Sequence, residues 1–259
     1  MASALPSPNR GPLLVLNGVS PRLTVLLGLP DGDILTRESD ATGHAAAVLA
    51  PLIADVLAEA GMAPAGLSGI ACVRGPGSFT GIRVVLATAL GLSMAAGVPL
   101  AGLDYLPLLA AAAARHATGA VIAVTHARTG QVYLQAFLAD GELAPLGPPE
   151  ALFLDAACAR VAEGAAVGRL WLVGEGAQRH RKALLAAAPQ AVIPEDCAAP
   201  DAATVLAVAR AARFGSEPLS PLYLRASDAE ENLAVLVACR GLAPETAAIL
   251  LKNAVTRSF

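Results

Sequence analysis

Apolar residues form two short runs near the start of the chain, and a third, mixed run follows them. Residues 13–19 and 23–29 are almost entirely apolar and are separated by Ser20-Pro21, and Asp31-Gly32-Asp33 precedes the third run at 34–38. Proline and Asp-Gly steps of this kind are typical of turns between strands. The pattern therefore predicts three adjacent strands at the start of the fold.

The pattern then changes to helices that alternate with single strands. Apolar residues recur at helical spacing over 44–60, and Gly61 follows the last of them, as expected for a helix that ends at a glycine. The next predicted elements are a strand at 67–73, a helix at 80–96, a strand at 100–103 and a helix at 106–115. Residues 13–116 are therefore predicted to have the order βββαβαβα, after a tail at 1–12.

Residues 117–228 repeat this order, with Asp140-Gly141 as a hairpin signal between the second and third strands. The predicted strands are 120–125, 131–138, 142–146, 170–173 and 191–193, and the predicted helices are 154–162, 178–188 and 202–214. Two such halves predict an α/β protein with mixed sheets covered by helices. This is the duplicated actin-like (ASKHA) plan, in which each half is RNase H-like. Residues 229–259 are predicted to be a helical extension.

Composition and charge limit what the chain can bind alone. Of its 259 residues 55% are hydrophobic, the mean hydropathy is +0.59 and the net charge is -3. No broad basic face is expected, so any contact with RNA should be local or supplied by a partner. The four cysteines include no pair at two-residue spacing, so we interpret them as free thiols in a reducing compartment.

The uncharged stretch at 84–103 is long enough to be a candidate membrane span. Gly97-Val98-Pro99 interrupts it, and a proline there would leave backbone groups without partners in lipid. We therefore predict a helix, a turn and a buried strand, with no membrane segment. The start, MASALPSPNRGP, lacks the basic and apolar regions of a secretion signal, so we expect a cytoplasmic protein.

The stretch RGPGSFTGIR, residues 74–83, joins a predicted strand to a predicted helix. It does not fit a phosphate-binding loop, because no lysine follows Gly81, and its glycines have the wrong spacing for dinucleotide or nucleophile-elbow motifs. One interpretation is a structural turn, with Ser78 or Thr80 as the helix N-cap and Phe79 packed beside it. The other is a protein interface, where arginine and phenylalanine are enriched.

The turns after the first strand of each half lack a carboxylate. Asn17-Gly18 follows the first strand, and His126 lies in the matching turn of the second half. An ionised aspartate is the usual ligand for Mg²⁺ at such a turn. ATP hydrolysis by this chain alone is therefore not expected, although Asn17 and Gly18 are kept as a candidate residual nucleotide-binding turn.

Three segments resemble the bacterial TsaB (YeaZ) family. VRGPGSFTGIRVVLATALGLSMAAGVPLAGLDYL is similar almost throughout to the family signature GRGPGSFTGVRIG and the small-residue helix after it. HARTGQVYLQAF resembles the family's Asp-Ala-Arg-x-Gly-Glu-Val-Tyr strand pair, and PLYLRASDA resembles its closing Pro-x-Tyr-Leu-Arg. The resemblance extends over residues 13–228 and is most specific at 74–83.

The resemblance implies a duplicated actin-like fold without a complete active site, in a non-catalytic partner subunit. Family members bind a catalytic subunit, TsaD, which transfers a threonylcarbamoyl group to N6 of adenosine 37 in tRNAs that read ANN codons, and an ATPase, TsaE, completes the assembly. They pair through the N-terminal half, around the glycine-rich segment, and can form homodimers through much the same surface. No cofactor is expected to bind tightly to this chain alone. ATP or ADP and metal are expected in the partner subunits, and tRNA is reached through the complex.

The positions that match the signature are assigned to the partner interface or to shaping it. They are Arg74, Gly75, Pro76, Gly77, Ser78, Phe79, Thr80, Gly81 and Arg83. Asn17 and His126 stand where the family commonly has aspartates, which argues against nucleotide or metal contact there. The catalytic relatives bind a metal through histidines at HxxxH spacing, and no histidine here has such a mate. No catalytic residue and no metal ligand is therefore assigned.

Two other classes of function stay open at this point. One is an enzyme, either a glycoprotease or an actin-like kinase, although the missing carboxylates, metal ligands and nucleophile motif count against both. The other is a homodimeric regulatory protein with an actin-like fold and no connection to tRNA.

Overall fold

The structure is a computed structural model that describes residues 9–166 and 168–225. The strands of its first sheet are β1 (Leu13–Asn17), β2 (Arg22–Gly28), β3 (Ile34–Asp40), β4 (Gly69–Gly75) and β5 (Leu100–Asp104). They lie in the order β3-β2-β1-β4-β5. Strands β1, β2 and β3 pair with one another antiparallel, and β4 and β5 run parallel to β1. The predicted meander and the two strands after it are confirmed.

The central strands of this sheet are apolar throughout because both faces of the sheet are covered. In β1, Leu13 and Val15 belong to one buried cluster, whereas Leu14 and Leu16 belong to another on the opposite face. The second cluster lies under α1 (Ala45–Glu59) and α2 (Phe79–Ala96). A short 3₁₀ segment, Pro64–Gly66, connects α1 to β4.

The second sheet repeats the arrangement with shorter edges. Its strands are β6 (Gly119–Arg128), β7 (Gln131–Asp140), β8 (Glu142–Pro145), β9 (Glu150–Phe153) and β10 (Leu170–Val173). They lie in the order β10-β6-β7-β8, with β9 also paired to β7. Strand β10 is parallel to β6, and β7 is antiparallel to β6. Helices α4 (Leu154–Ala165), α5 (Glu175–Arg179) and α6 (Arg181–Ala187) belong to this half.

Three details of the second half differ from the sequence-based expectation. The edge strand is divided into β8 and β9, because Gly147-Pro148-Pro149 interrupts it and proline has no N–H to donate. The strand predicted at 191–193 is reduced to one bridge between Trp171 and Val192. The helix predicted at 178–188 is broken at His180, whose backbone leaves the helical region, so that α5 and α6 take its place.

The last helix of each half packs against the sheet of the other half. Helix α3 (Tyr105–Ala114) contacts β6, β7 and β10, and α7 (Ala202–Ala211), which follows a 3₁₀ segment at Glu195–Cys197, contacts β1, β2 and β3. One buried cluster therefore contains residues of both sheets and both helices. Together with the repeated sheet order, this shared layer confirms the duplicated actin-like α/β fold.

Residues up to Leu224 form one compact unit, in which the two predicted halves share their last helices. The tail at 1–12 is described only from Asn9 onward, and the predicted extension at 229–259 lies outside the described residues. Of the cysteines, Cys72 is buried, Cys158 and Cys197 are half-buried, and all three are free thiols.

The uncharged stretch after Arg83 forms the predicted helix, turn and strand. Helix α2 ends at Ala96, Gly97 adopts a left-handed conformation with φ 68°, and the chain continues into β5. By length and composition α2 could cross a membrane, with a mean hydropathy of 1.6. It instead packs against the first sheet through Ile82, Val85 and Ala89, which are fully buried.

Replacing Leu109 by alanine tests the importance of the shared layer. Leu109 is 1% exposed in the cluster that joins both sheets. We expect Leu109→Ala to lower the free energy of unfolding by about 2–5 kcal/mol, because it removes buried apolar surface and leaves a cavity. Leu146→Ala is the control, since Leu146 is 60% exposed, and it should change stability by less than about 0.5 kcal/mol. Urea unfolding followed by circular dichroism measures both, and equal effects would contradict the prediction.

Candidate functional site

The glycine-rich segment packs directly on the turn that follows β1. The Gly75–Pro76 peptide is cis, and the Ser78 N–H donates to the Val19 carbonyl at 2.7 Å. A Cβ at Gly77 would overlap the Val19 carbonyl oxygen, and a Cβ at Gly81 would overlap that of Gly18. A Cβ at Gly18 would in turn lie 2.8 Å from the Gly81 oxygen. These glycines are therefore required by the close approach of two backbones.

Ser78 caps helix α2, as one of the two sequence interpretations predicted. Its hydroxyl accepts a hydrogen bond from the Gly81 N–H at 3.2 Å, which satisfies one of the free donors at the helix start. Thr80, the other candidate cap, is an exposed residue of the first turn. The structural interpretation of the segment is thus confirmed for Ser78, and the segment is built to hold the start of α2 in place.

Arg74 and Asp104 form an ion pair between the ends of β4 and β5. The Arg74 Nε donates to the Asp104 carboxylate at 2.6 Å, and a second guanidinium nitrogen donates to it at 3.3 Å. The Arg74 carbonyl accepts from the Leu222 N–H at 2.8 Å. Arg74 thus fixes the glycine-rich segment from two sides, so its side chain shapes the surface and is already engaged within the chain.

Phe79, Arg83 and Tyr223 form an aromatic and cationic cluster at the start of α2. The rings of Phe79 and Tyr223 are stacked with centroids 4.3 Å apart. The Arg83 Nε donates to the Tyr223 hydroxyl at 2.9 Å, and the guanidinium carbon lies 5.8 Å and 5.7 Å from the two ring centroids. Sequence analysis assigned Phe79 and Arg83 to this site but missed Tyr223. The similarity of PLYLRASDA to the family's closing motif was the one available signal.

Helices α1 and α2 pack side by side on the first sheet and leave an outer surface of small, mostly apolar residues, which we call the α1–α2 face. Its exposed positions on α2 are Thr80, Arg83, Ala87, Gly91, Met94 and Ala95, and on α1 they include Ala46, Ala47, Ala50, Ala54 and Ala58 together with the acidic residues Asp55 and Glu59. Met94 is 79% exposed. The apolar surface that α2 leaves exposed is therefore that of Met94 and of the small residues Ala87, Gly91 and Ala95. Surfaces of this kind are typical of protein interfaces.

Asn17, the last residue of β1, shapes the turn that follows the strand. Its side-chain oxygen accepts from the Val19 N–H at 3.1 Å. It also lines a cavity of about 120 Å³ together with Arg22 and Glu38, which pair with each other at 3.1 Å. Within residues 9–166 and 168–225 no three histidine, cysteine or acidic side chains are grouped to hold a metal ion. Binding of a nucleotide at Asn17 and Gly18 stays a prediction.

The turn predicted at His126 is wrong, since His126 lies within β6. This histidine forms a pair with His180, which lies between α5 and α6, beside Glu175 and Arg179. Thr125 donates to the Glu175 carboxylate at 3.3 Å. Burial lowers the pKa of His126, and Arg179 and His180 lower it further, whereas Glu175 opposes this. Burial and Arg179 lower the pKa of His180. The buried Nδ1 of His126 and Nε2 of His180 have no hydrogen-bond partner within the described part of the chain.

A family model described as "TsaD: tRNA N6-adenosine threonylcarbamoyltransferase" matches residues 39–231. The solved structure of YeaZ from Pseudomonas aeruginosa is 27% identical and superposes with a TM-score of 0.64, over 83% of this chain and all of that one. The chain belongs to the TsaB (YeaZ) family. TsaB of Escherichia coli is 37% identical over 84 residues, 32% of this chain and 36% of that protein.

Some relatives carry the name of the transferase itself. The tRNA N6-adenosine threonylcarbamoyltransferase of Maricaulis maris is 45% identical over 69 residues, which are 27% of this chain and 18% of that enzyme. The chain thus spans about a third of the length of the curated TsaB protein and less of the transferase. Whether a TsaB (YeaZ) family member carries out catalysis must therefore be argued from its own site residues.

Replacing Gly81 by alanine tests the close packing of α2 on the β1 turn. We expect Gly81→Ala to lower the free energy of unfolding by about 1–3 kcal/mol or more, because the new methyl group overlaps the Gly18 carbonyl oxygen. Gly91→Ala is the matched control in the same helix, where nothing lies within 4 Å of the added Cβ. It should stabilise the protein by about 0.5–1 kcal/mol. Chemical denaturation measures both, and a neutral Gly81→Ala would contradict the packing described here.

The histidine pair predicts a loss of stability in mild acid. Because the folded state lowers both pKa values below the ordinary 6.5, the unfolded state takes up protons first as the pH falls. The free energy of unfolding should therefore decrease as the pH drops through about 6.5. His180→Gln should flatten this decrease, whereas His116→Gln, at an exposed position after α3, should leave it unchanged. Urea unfolding at pH 7.5 and 5.5 measures the free energy of unfolding of each variant. Identical pH dependences of the wild type and His180→Gln would show that His180 does not cause the loss of stability.

Proposed function

We propose that this protein is a non-catalytic partner subunit required for N6-threonylcarbamoylation of adenosine 37 in tRNAs that read ANN codons. In this proposal it binds a TsaD-like catalytic subunit and acts with a TsaE-like ATPase in the cytoplasm. The α1–α2 face carries the proposal, since it combines an exposed apolar helix with the family signature at its start. The tRNA is contacted mainly by the partners, in line with the net charge of -3.

The composition of the α1–α2 face suits helix-to-helix docking. Ala87, Gly91 and Ala95 follow one another at four-residue spacing along α2, and all three are exposed. Small side chains in such a row let a second helix come close, and the larger Met94 beside them can fill gaps in the partner surface. A second copy of the chain would meet the same requirements, so a homodimer through this face competes with the complex.

The non-catalytic part of the proposal is supported by Asn17, by His126 and by the cavity beside Asn17. A self-sufficient ATPase needs carboxylates that can hold Mg²⁺, but Asn17 and His126 occupy the corresponding positions. Asn17 is engaged with its own turn, and Glu38, in the adjoining cavity, is paired with Arg22. These contacts favour a structural role for the cleft of this chain, with nucleotide and metal held by the partner subunits.

A single charge in the middle of the α1–α2 face tests the proposal. We expect Ala87→Glu to abolish binding of the catalytic subunit and the reconstituted transfer to tRNA, because a buried, unpaired carboxylate is strongly unfavourable. Ala162→Glu, an equivalent change at an exposed position of α4, should leave both unchanged. Calorimetry measures binding to the catalytic subunit. A reconstituted reaction with the catalytic subunit, the ATPase and the activated-threonine synthase measures threonylcarbamoylation of tRNA.

An omission experiment in the same assay separates the proposal from its alternatives. Loss of modification without this protein supports a required partner subunit. Full modification without it would overturn the proposal and favour the homodimeric regulatory protein. Tight binding of Mg-ATP by the isolated protein would instead favour an actin-like kinase.

A further inference from the structure

Arg83 is the one charged residue among the 18 residues of α2, and its side chain is held in a defined orientation. Its Nε donates to the Tyr223 hydroxyl at 2.9 Å, and its guanidinium lies beside the stacked rings of Phe79 and Tyr223. Within the described part of the chain, its two terminal nitrogens make no hydrogen bond and no ion pair. The exposed edge of the guanidinium is therefore available to an acceptor outside this chain.

We propose that this edge of Arg83 binds a carboxylate of the catalytic partner, and that Tyr223 is the residue that positions it. The inference rests on the proposed function, because it concerns the subunit that docks on the α1–α2 face. Arginine presents its terminal nitrogens as a planar fork that matches a carboxylate with two parallel hydrogen bonds. A single positive charge on a helix whose other residues are uncharged selects a partner with a negative charge at the matching place.

Tyr223 can position Arg83 because its own backbone segment is fixed. The Leu222 N–H donates to the Arg74 carbonyl at 2.8 Å, and a Cβ at Gly75 would lie 2.5 Å from the Leu222 oxygen, so the two segments are in close contact. The Tyr223 ring then stacks on Phe79. A side chain held in this way loses little conformational entropy on binding, which favours affinity.

The interface is therefore composite: the glycine-rich segment supplies Phe79 and Arg83, and a segment 140 residues later in the chain supplies the hydroxyl that orients the arginine. The closing segment, residues 221–224, therefore contributes to the interface through Tyr223, which orients Arg83. Arg74, the other arginine of the signature, has no such role because Asp104 already neutralises it.

The test is a double-mutant cycle in calorimetric binding to the purified catalytic subunit. Arg83→Gln should weaken binding by about ten- to a hundredfold, because it removes hydrogen bonds to a charged group. Tyr223→Phe keeps the stacked ring and removes the hydroxyl, and it should weaken binding by about two- to tenfold. In the double variant Tyr223→Phe should add almost nothing to the loss caused by Arg83→Gln. Additive losses would overturn the positioning role of Tyr223.

If Arg83 binds a carboxylate, the affinity for the catalytic subunit depends on salt concentration, whereas a purely structural role of Arg83 would not produce this dependence. Wild-type affinity should fall between 50 mM and 500 mM NaCl more steeply than that of Arg83→Gln, because salt screens the ion pair. Equal salt dependences would overturn the carboxylate assignment. Arg169→Gln is the matched control, since Arg169 is exposed and lies 4.7 Å from the Trp171 ring in the other half, and it should leave affinity and salt dependence unchanged. Thermal unfolding of each variant checks that the fold is retained.

The failure of this inference is distinguishable from failure of the proposed function. If wild type binds the catalytic subunit and Arg83→Gln binds equally well, the function stands and the inference is wrong. If wild type does not bind, the proposed function itself is wrong. In a further scan, acidic residues of the catalytic subunit are replaced by arginine one at a time. One of these variants of the catalytic subunit should bind the Arg83→Glu variant of this protein better than it binds the wild-type protein. A complete scan without such a variant would count against the ion pair.

Discussion

The close approach of two backbones at Gly18 and Gly81 is the constraint on which the described surface depends. Because neither residue has a side chain, the start of α2 lies directly on the turn after β1. The Ser78 N–H then reaches the Val19 carbonyl, and the Ser78 hydroxyl caps the helix. The position of α2 follows from these contacts, and with it the orientation of Arg83 and the outer face of the helix. A signature rich in glycine thus serves the geometry of a helix start.

The two halves have the same order of elements but have diverged in their edges and outer helices. The first sheet has a continuous edge strand and is covered by the 18-residue α2. In the second half the edge strand is divided into β8 and β9, the strand expected at 191–193 is a single bridge, and two short helices, α5 and α6, replace one longer helix. The apolar outer surface accordingly belongs to the first half. Neither Asn17, at the end of β1, nor His126, in β6, is a carboxylate of the kind that usually binds Mg²⁺. A duplicated fold can in this way keep its core while the outer surface of one half differs from that of the other.

Sequence patterns predicted the order of strands and helices well where local signals are strong. Turn residues such as Ser20-Pro21 and the cap at Ser78 act over a few neighbours, so they can be read without a structure. The reduction of 191–193 to one bridge and the break at His180 depend on packing against other elements. The contact of Phe79 with Tyr223 joins residues far apart in the chain, and no periodicity predicts it. Sequence analysis singled out the glycine-rich segment, but its close packing on the β1 turn joins residues about 60 positions apart and could not be predicted from local signals.

The hydrogen bond between Arg83 and Tyr223 has a consequence for the timing of assembly. During synthesis α2 leaves the ribosome well before Tyr223 is translated, so the apolar outer face exists first without an oriented arginine. The ring of Tyr223 and its hydroxyl reach Phe79 and Arg83 only when almost all of the compact unit has been made. Recognition through an oriented Arg83 would therefore distinguish a finished chain from a nascent one, because only the finished chain presents both segments together.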